Sequence, residues 1–286
     1  MRYIGIGLLI AVFAAVLTSC GAFGFRRAEA VTNEYVFETI IKDFDIETSA
    51  CDVAIIPWDD RNTKVVCHEA DLLLHDVQVK DGKLVIKRKD RTDRASFNNM
   101  ILRIEIMMPA GSYGNVMAKT SSGSIELSSG FDFVDAILSA SSGAIVCDAQ
   151  VRGQLLCNTS SGGQRLSGTD CKWLQAGSSS GSILAQNIRA EVAEFSASSG
   201  SVMLSDVIAA DELSAETSSG DISFENCDAH SVKLRASSGQ ISGSLLTGKV
   251  FRAKASSGDV RVPEDDPSGG RCEVTTSSGN IRITVK

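Results

Sequence analysis

The tripeptide Ser-Ser-Gly recurs nine times, beginning at Ser121, Ser141, Ser160, Ser179, Ser198, Ser218, Ser237, Ser256 and Ser277. Successive starts are 19 to 21 residues apart, and the series runs almost to the last residue. So regular a period marks a stack of equivalent coils. It constrains shape far more than activity.

The residues around each tripeptide alternate. Three before the first serine stand Ala118, Leu138, Cys157, Ala176, Phe195, Ala215, Leu234, Ala253 and Val274. Four after it stand Ile125, Ile145, Gln164, Ile183, Val202, Ile222, Ile241, Val260 and Ile281. These columns are apolar apart from Gln164, and the columns between them are mostly polar. Period two on both sides of the serines predicts one strand entering and one leaving, each with one face inward. Ser-Ser-Gly is then the corner, with Gly123, Gly143, Gly162, Gly181, Gly200, Gly220, Gly239, Gly258 and Gly279 allowing positive φ or close approach of coils. The serine hydroxyls are expected to bond to nearby backbone. At about 3.3 Å per residue a coil traces roughly 60 Å, enough for two or three short strands. The fold class is all-β: a single-stranded β-solenoid of 19–20 residues per coil. Helical stripes with caps are missing between the corners, which excludes an α/β alternative.

Residues 116–286 form the regular array. Residues 35–115 read as a β region with degenerate coils: Ile46–Ile55 aligns on Ala215–Phe224 with Cys51 in place of glycine, and Val77–Ile86 fits with Lys-Asp-Gly at the corner. Lys89 to Asn99 reads as an exposed loop, and residues 101–107 as another alternating strand. Gly243 and Gln164, the latter beside Gly162-Gly163, depart from the core columns and predict locally loose coils.

Residues 4–19 are apolar or small, preceded by Arg2, and read as a signal-peptide core. Leu17-Thr-Ser-Cys20-Gly resembles a lipobox, predicting cleavage after residue 19, lipidation of Cys20 and a tether over 20–34. Cleavage after Ala30 and an uncleaved anchor to Phe25 remain alternatives. Each puts the repeats outside the cytoplasm, held at the extracytoplasmic face of a bacterial cell. The exported part carries 27 basic and 35 acidic residues. That balance leaves no electrostatic footprint for nucleic acid. Seven cysteines remain, and they read mostly as unpaired, buried thiols, with one or two disulfides between coils as the alternative.

The search for chemistry returns little. Cys227-Asp-Ala-His230 has metal spacing but no second pair, and Cys67 and His68 would point to opposite faces of a strand. Asp221 and Asp259 share one outward column, and Arg165, Arg261 and Arg282 another, on separate coils. The expectation is a protein without catalytic, cofactor or metal residues. The serine ladder reads as turn chemistry before it reads as a hydroxyl array for ice or crystalline polysaccharide.

The motifs Thr120-Ser-Ser-Gly-Ser-Ile125, Thr217-Ser-Ser-Gly-Asp-Ile222 and Ala255-Ser-Ser-Gly-Asp-Val260, with Met108-Pro-Ala-Gly-Ser-Tyr113 before them, resemble the bacterial putative-adhesin family of β-strand-repeat domains. The resemblance covers residues 35–286. It implies a right-handed, β-helix-like fold at the cell envelope and supplies no catalytic residues. Together these readings predict a non-enzymatic surface solenoid binding an unknown protein or glycan. The rival readings are an envelope scaffold, structural or stress-related, and a polysaccharide-processing enzyme, which would need a groove where outward charges converge.

Overall fold

The computed structural model describes residues 10–11, 28–89 and 100–286, with strands, turns, bends and irregular links and no helix among them. The lipidation candidate Cys20, the signal segment apart from residues 10–11, and most of the Lys89–Asn99 loop lie outside the described residues. The chain is a β-solenoid, as the period requires. Strands running into the corners, such as Asn115–Thr120, Asp135–Ala140 and Gln154–Thr159, pair in parallel as an upstream sheet. Strands leaving them, such as Ile125–Leu127 and Ile145–Cys147, pair as a downstream sheet. Short strands such as Phe131–Phe133 and Gln150–Val151 pair on a third side and return the chain to the next coil. The inward columns close a continuous core in which Ile125, Leu138, Leu155, Ile183, Val202, Leu213 and Ile241 are all buried.

Close approach is what the corner glycines provide. A Cβ at Gly143 would lie nearer than 3.0 Å to the carbonyl oxygen of Gly123, and Gly162, Gly181, Gly200, Gly220 and Gly239 meet the preceding corner in the same way. Only Gly258, at φ 146°, also needs a glycine's backbone. The serines behave otherwise than expected. All eighteen corner serines are exposed, and among the described residues their hydroxyls make no hydrogen bond; their backbone N–H groups do the stacking, as from Ser142 to the Ser121 carbonyl at 2.8 Å. The buried bracket is the threonine just before them. Thr159 Oγ1 accepts from Gly162 N at 3.1 Å and donates to the Gly143 carbonyl at 3.2 Å. Thr120 and Thr217 repeat both bonds.

A second corner lies eight residues after the first serine in four consecutive coils, where Gly168, Asn187, Asp206 and Asn226 all have φ between 52° and 68°. Glycine, Asn and Asp are the residues that tolerate this left-handed backbone. Asn226 Nδ2 donates to Asp206 Oδ1 at 3.0 Å, tying two of these corners together.

Neither end of the stack follows chain order. At the C-terminal end, Gly270–Thr276 pairs with Ser231–Ala236 on one side and Lys249–Ala255 on the other. The last coil of the chain therefore fills the rung below the outermost one. At the N-terminal end, Asp43–Glu47 lies between Lys83–Arg88 and Asn115–Thr120, and Asp52–Pro57 lies between Arg103–Met108 and Ile125–Leu127. Cys51 thus sits at a true corner, as the alignment predicted. Val77–Ile86 does not. It is an antiparallel hairpin, His75–Lys80 against Lys83–Arg88, closed by Asp81 and Gly82 at φ 51° and 77°. Two left-handed residues make the type I′ turn that suits hairpin twist, and an Asp-Gly pair is its usual sequence. Thr63–Ala70 and Ala30–Phe37 add two further antiparallel strands. These cover the end of the core, above an edge-to-face aromatic cluster of Phe44, Tyr113, Phe131 and Phe133.

The two coils expected to be loose are filled. Gln164 is buried, and its Nε2 donates to the Gly177 carbonyl at 2.5 Å and the Cys157 carbonyl at 3.4 Å. At Gly243 a Cβ would collide with the Phe224 ring and carbonyl, so the large side chain of one coil occupies the space left by the next.

The close approach predicts that Gly181→Ala lowers unfolding free energy by about 3 kcal/mol or more, because backbone must move to admit the methyl group. Gly163→Ala, whose new methyl would lie 3.4 Å from its nearest neighbour, should change stability by no more than about 0.5 kcal/mol. Urea unfolding of both variants checks the pair.

Candidate functional site

On the outer face of the upstream sheet one column changes character along the stack. Met117, Ile137, Leu156 and Gln175 are register partners on successive rungs, and the column continues through Glu194, Ser214 and Lys233. Its first half is an apolar stripe in which Ile137 is 37% exposed. Where it turns polar, Trp173 stands two residues before Gln175 and is 42% exposed. An indole this open on a flat sheet is unusual, because burial of its large apolar surface is normally favoured.

Beyond Trp173 lies a groove of about 330 Å³. Small Ser196 and Ser214 line it together with Gln175, Glu194, Glu212, Glu216, Lys233 and Arg235. Glu212 and Lys233 are ion-paired at 2.7 Å. Opposed outward charges therefore do converge at one place, which the separate columns of Asp221, Asp259 and the arginines did not predict. Of those residues Arg165 and Asp221 stay apart, Arg165 paired bidentately with Asp148 at 2.8 and 2.9 Å and Asp221 Oδ1 accepting from Gln240 N. The out-of-order last coil instead brings Arg261 and Arg282 together as register partners on adjacent rungs. The groove residues were legible only as unremarkable polar positions, since their meeting depends on the register of three adjacent coils.

A buried polar network closes the N-terminal end of the threonine ladder. Thr48 occupies the bracket position of the Cys51 corner, and its Oγ1 lies 2.8 Å from His75 Nε2. His75 Nδ1 lies 2.7 Å from Glu69 Oε1, with both side chains fully buried. Glu69 Oε1 also accepts from His75 N at 2.7 Å, and Asn33 Nδ2 donates to Oε2 at 2.8 Å. With Glu69 as the acceptor, Nδ1 carries the proton and Nε2 accepts from Thr48, a tautomer assigned from these bonds. His75 thus replaces the preceding-corner carbonyl that Thr120 and Thr159 use. The arrangement has the connectivity of a nucleophile, base and carboxylate, but it lies inside the core, so we read it as an end plug of the ladder.

All seven described cysteines are buried and unpaired. Burial pushes the thiols of Cys51 and Cys227 up to about 11, and those of Cys147, Cys171 and Cys272 to about 12. Cys227 is buried while His230 is exposed, so the Cys-Asp-Ala-His spacing does not converge. Among the described residues no three His, Cys, Asp or Glu side chains group as metal ligands, and no helix is long and apolar enough to cross a membrane.

Comparison with known proteins agrees with this architecture. The Toastrack DUF4097 family model matches residues 41–191 and 165–286. The chain belongs to that family. A putative adhesin from Parabacteroides merdae has a TM-score of 0.56 at 13% identity, over 90% of this chain and 96% of that one. A putative adhesin from Parabacteroides distasonis also gives 0.56 at 13%, over 90% and 97%. A putative lipid binding protein from the same species gives 0.52 at 18%, over 89% and 96%. These likenesses establish the shared fold. No curated relative matches the chain.

Two predictions follow from the buried groups. His75→Ala strands the Glu69 carboxylate in the core and should cost about 3–5 kcal/mol in urea unfolding, whereas a surface control such as Gln78→Ala should be near neutral. Thiols raised from 9.0 to about 11–12 keep their proton in the folded state while the unfolded chain loses it. Stability is therefore full below pH 9 and falls as pH rises from there towards 11–12, read as a declining urea midpoint.

Proposed function

We propose that this protein is a non-enzymatic β-solenoid of the bacterial envelope. It is exported, held at the membrane through Cys20, and binds an extended glycan along the outer face of the upstream sheet. The observation that carries the reading is exposed Trp173, two residues before Gln175 on the strand that borders the groove lined by Gln175, Glu194, Glu212, Glu216, Lys233 and Arg235. An indole face stacks against the C–H faces of a sugar ring. Flanking carboxylates, amides and cations match its hydroxyls, which both donate and accept. The parallel rungs extend this chemistry as a rigid strip, needing no ordering of loops on binding.

The adhesin-type structural neighbours and the apolar leader ending in Leu-Thr-Ser-Cys support a surface location. A groove open to solvent, with Glu212 neutralised by Lys233, supports binding over bond cleavage. Nothing in the surface calls for nucleic acid, since the charge is acidic overall.

The test is binding of the protein to an array of host glycans, matrix proteins and bacterial wall fragments. Saturable binding to one glycan class, lost about tenfold or more in Trp173→Ala without a change in unfolding midpoint, is the expected result. Binding that survives Trp173→Ala and Glu194→Ala moves the site elsewhere. Release of reducing ends from the bound glycan contradicts the non-enzymatic reading.

A further inference from the structure

Among the described residues the solenoid is closed at one end and bare at the other. Antiparallel strands cover the N-terminal end of the core, but the outermost C-terminal rung, Lys249–Ala255 and Val260–Arg261, pairs on one side only. Its inward residues show the difference. Phe251, Ala253 and Ala255 are only half-buried and Val260 is 41% exposed, where the same columns are buried throughout the inner coils.

The backbone of that rung is partly unpaired. In a parallel ladder both polar groups of a residue point to the same neighbour, and successive residues alternate sides. Ser256 N donates back to the Thr276 carbonyl, so Arg252 and Lys254 face the stack and Lys249, Phe251, Ala253 and Ala255 face outwards. The loop Pro263–Ser268 satisfies the first of these: Asp265 Oδ1 accepts from Phe251 N at 2.8 Å, and Asp266 N donates to the Lys249 carbonyl at 3.0 Å. Among the described residues the Phe251 carbonyl, both groups of Ala253 and the Ala255 N–H have no such partner. Free groups in this arrangement are the template for another strand.

Charge decides which strand. Arg252 and Lys254 are exposed on the upstream side of this rung, and Arg261 stands beside its register partner Arg282 on the downstream side. None of the four has an ion-pair partner among the described residues. A second copy meeting this edge in antiparallel would set Arg252 against Lys254 across the seam, and directly opposed like charges are destabilising. The same row favours Asp and Glu on an incoming strand, and the chain's own Glu264-Asp265-Asp266 already lies against its beginning. We propose that the open C-terminal rung receives an extended acidic segment of another protein as the next strand, with carboxylates beside Arg252 and Lys254 and apolar side chains over Phe251, Ala253 and Ala255. This docking uses the end of the stack, independently of the upstream-sheet groove.

The experiment uses the full chain and a labelled peptide alternating Glu and Val, with a Lys and Val peptide as control, followed by fluorescence anisotropy. The acidic peptide should bind saturably, weaken as salt rises, and lose about tenfold or more in affinity to R252E/K254E, which should gain the basic peptide instead. Ala253→Pro removes an edge N–H where proline is tolerated in a strand, and should block the peptide with the unfolding midpoint retained. Failure of the acidic peptide to bind the folded protein overturns the proposal, as does binding indifferent to R252E/K254E. A concentration-dependent wild-type dimer lost in Ala253→Pro overturns the choice of partner.

Discussion

The corner-to-corner contact between a glycine and the carbonyl oxygen of the preceding glycine governs the rest of the molecule. It brings successive coils close enough for the threonine bracket to reach both the glycine N–H of its own coil and the carbonyl of the last. It also holds the upstream and downstream sheets in one register, so that each outward column becomes a straight row of side chains. A side chain at this point would push apart two backbones, not merely two rotamers, and the disturbance would reach both sheets. The contact starts at Cys51, whose carbonyl receives Gly123.

Given that register, the surface follows. The apolar stripe of Met117, Ile137 and Leu156, the indole of Trp173 and the charged groove beyond them are consecutive rungs of one sheet face. Their order along the stack is their order in the chain, which makes a graded strip from apolar to ionic. The fold can therefore carry recognition without a pocket in its core, whose interior is filled by side chains such as Phe224 lying over Gly243.

The array was legible because its residues repeat: the alternating columns specify both strands, and the glycine column specifies the corner. What was missed depends on contacts distant in sequence. The second corner escaped notice because Gly168, Asn187, Asp206 and Asn226 differ in residue type while sharing a backbone conformation. The Lys80-Asp-Gly-Lys83 segment imitates a coil corner in its alternation, yet Asp-Gly selects a two-residue hairpin turn. The interlocked ends leave no trace in the period, because a coil inserted out of order obeys the same inward and outward pattern. His75 and Glu69 belong to no motif in the sequence, and only the missing preceding corner at Thr48 explains why they meet.

The interlocked stack is tested most directly by amide hydrogen exchange along the full chain, because protection reports which backbone groups lie between paired rungs. The insertion of residues 270–285 between two coils predicts that their amides exchange as slowly as those of 231–245, and that 249–261 exchange fastest of the three. Protection that instead declines in chain order towards Lys286 would contradict this arrangement, and with it the open edge formed by Lys249–Ala255.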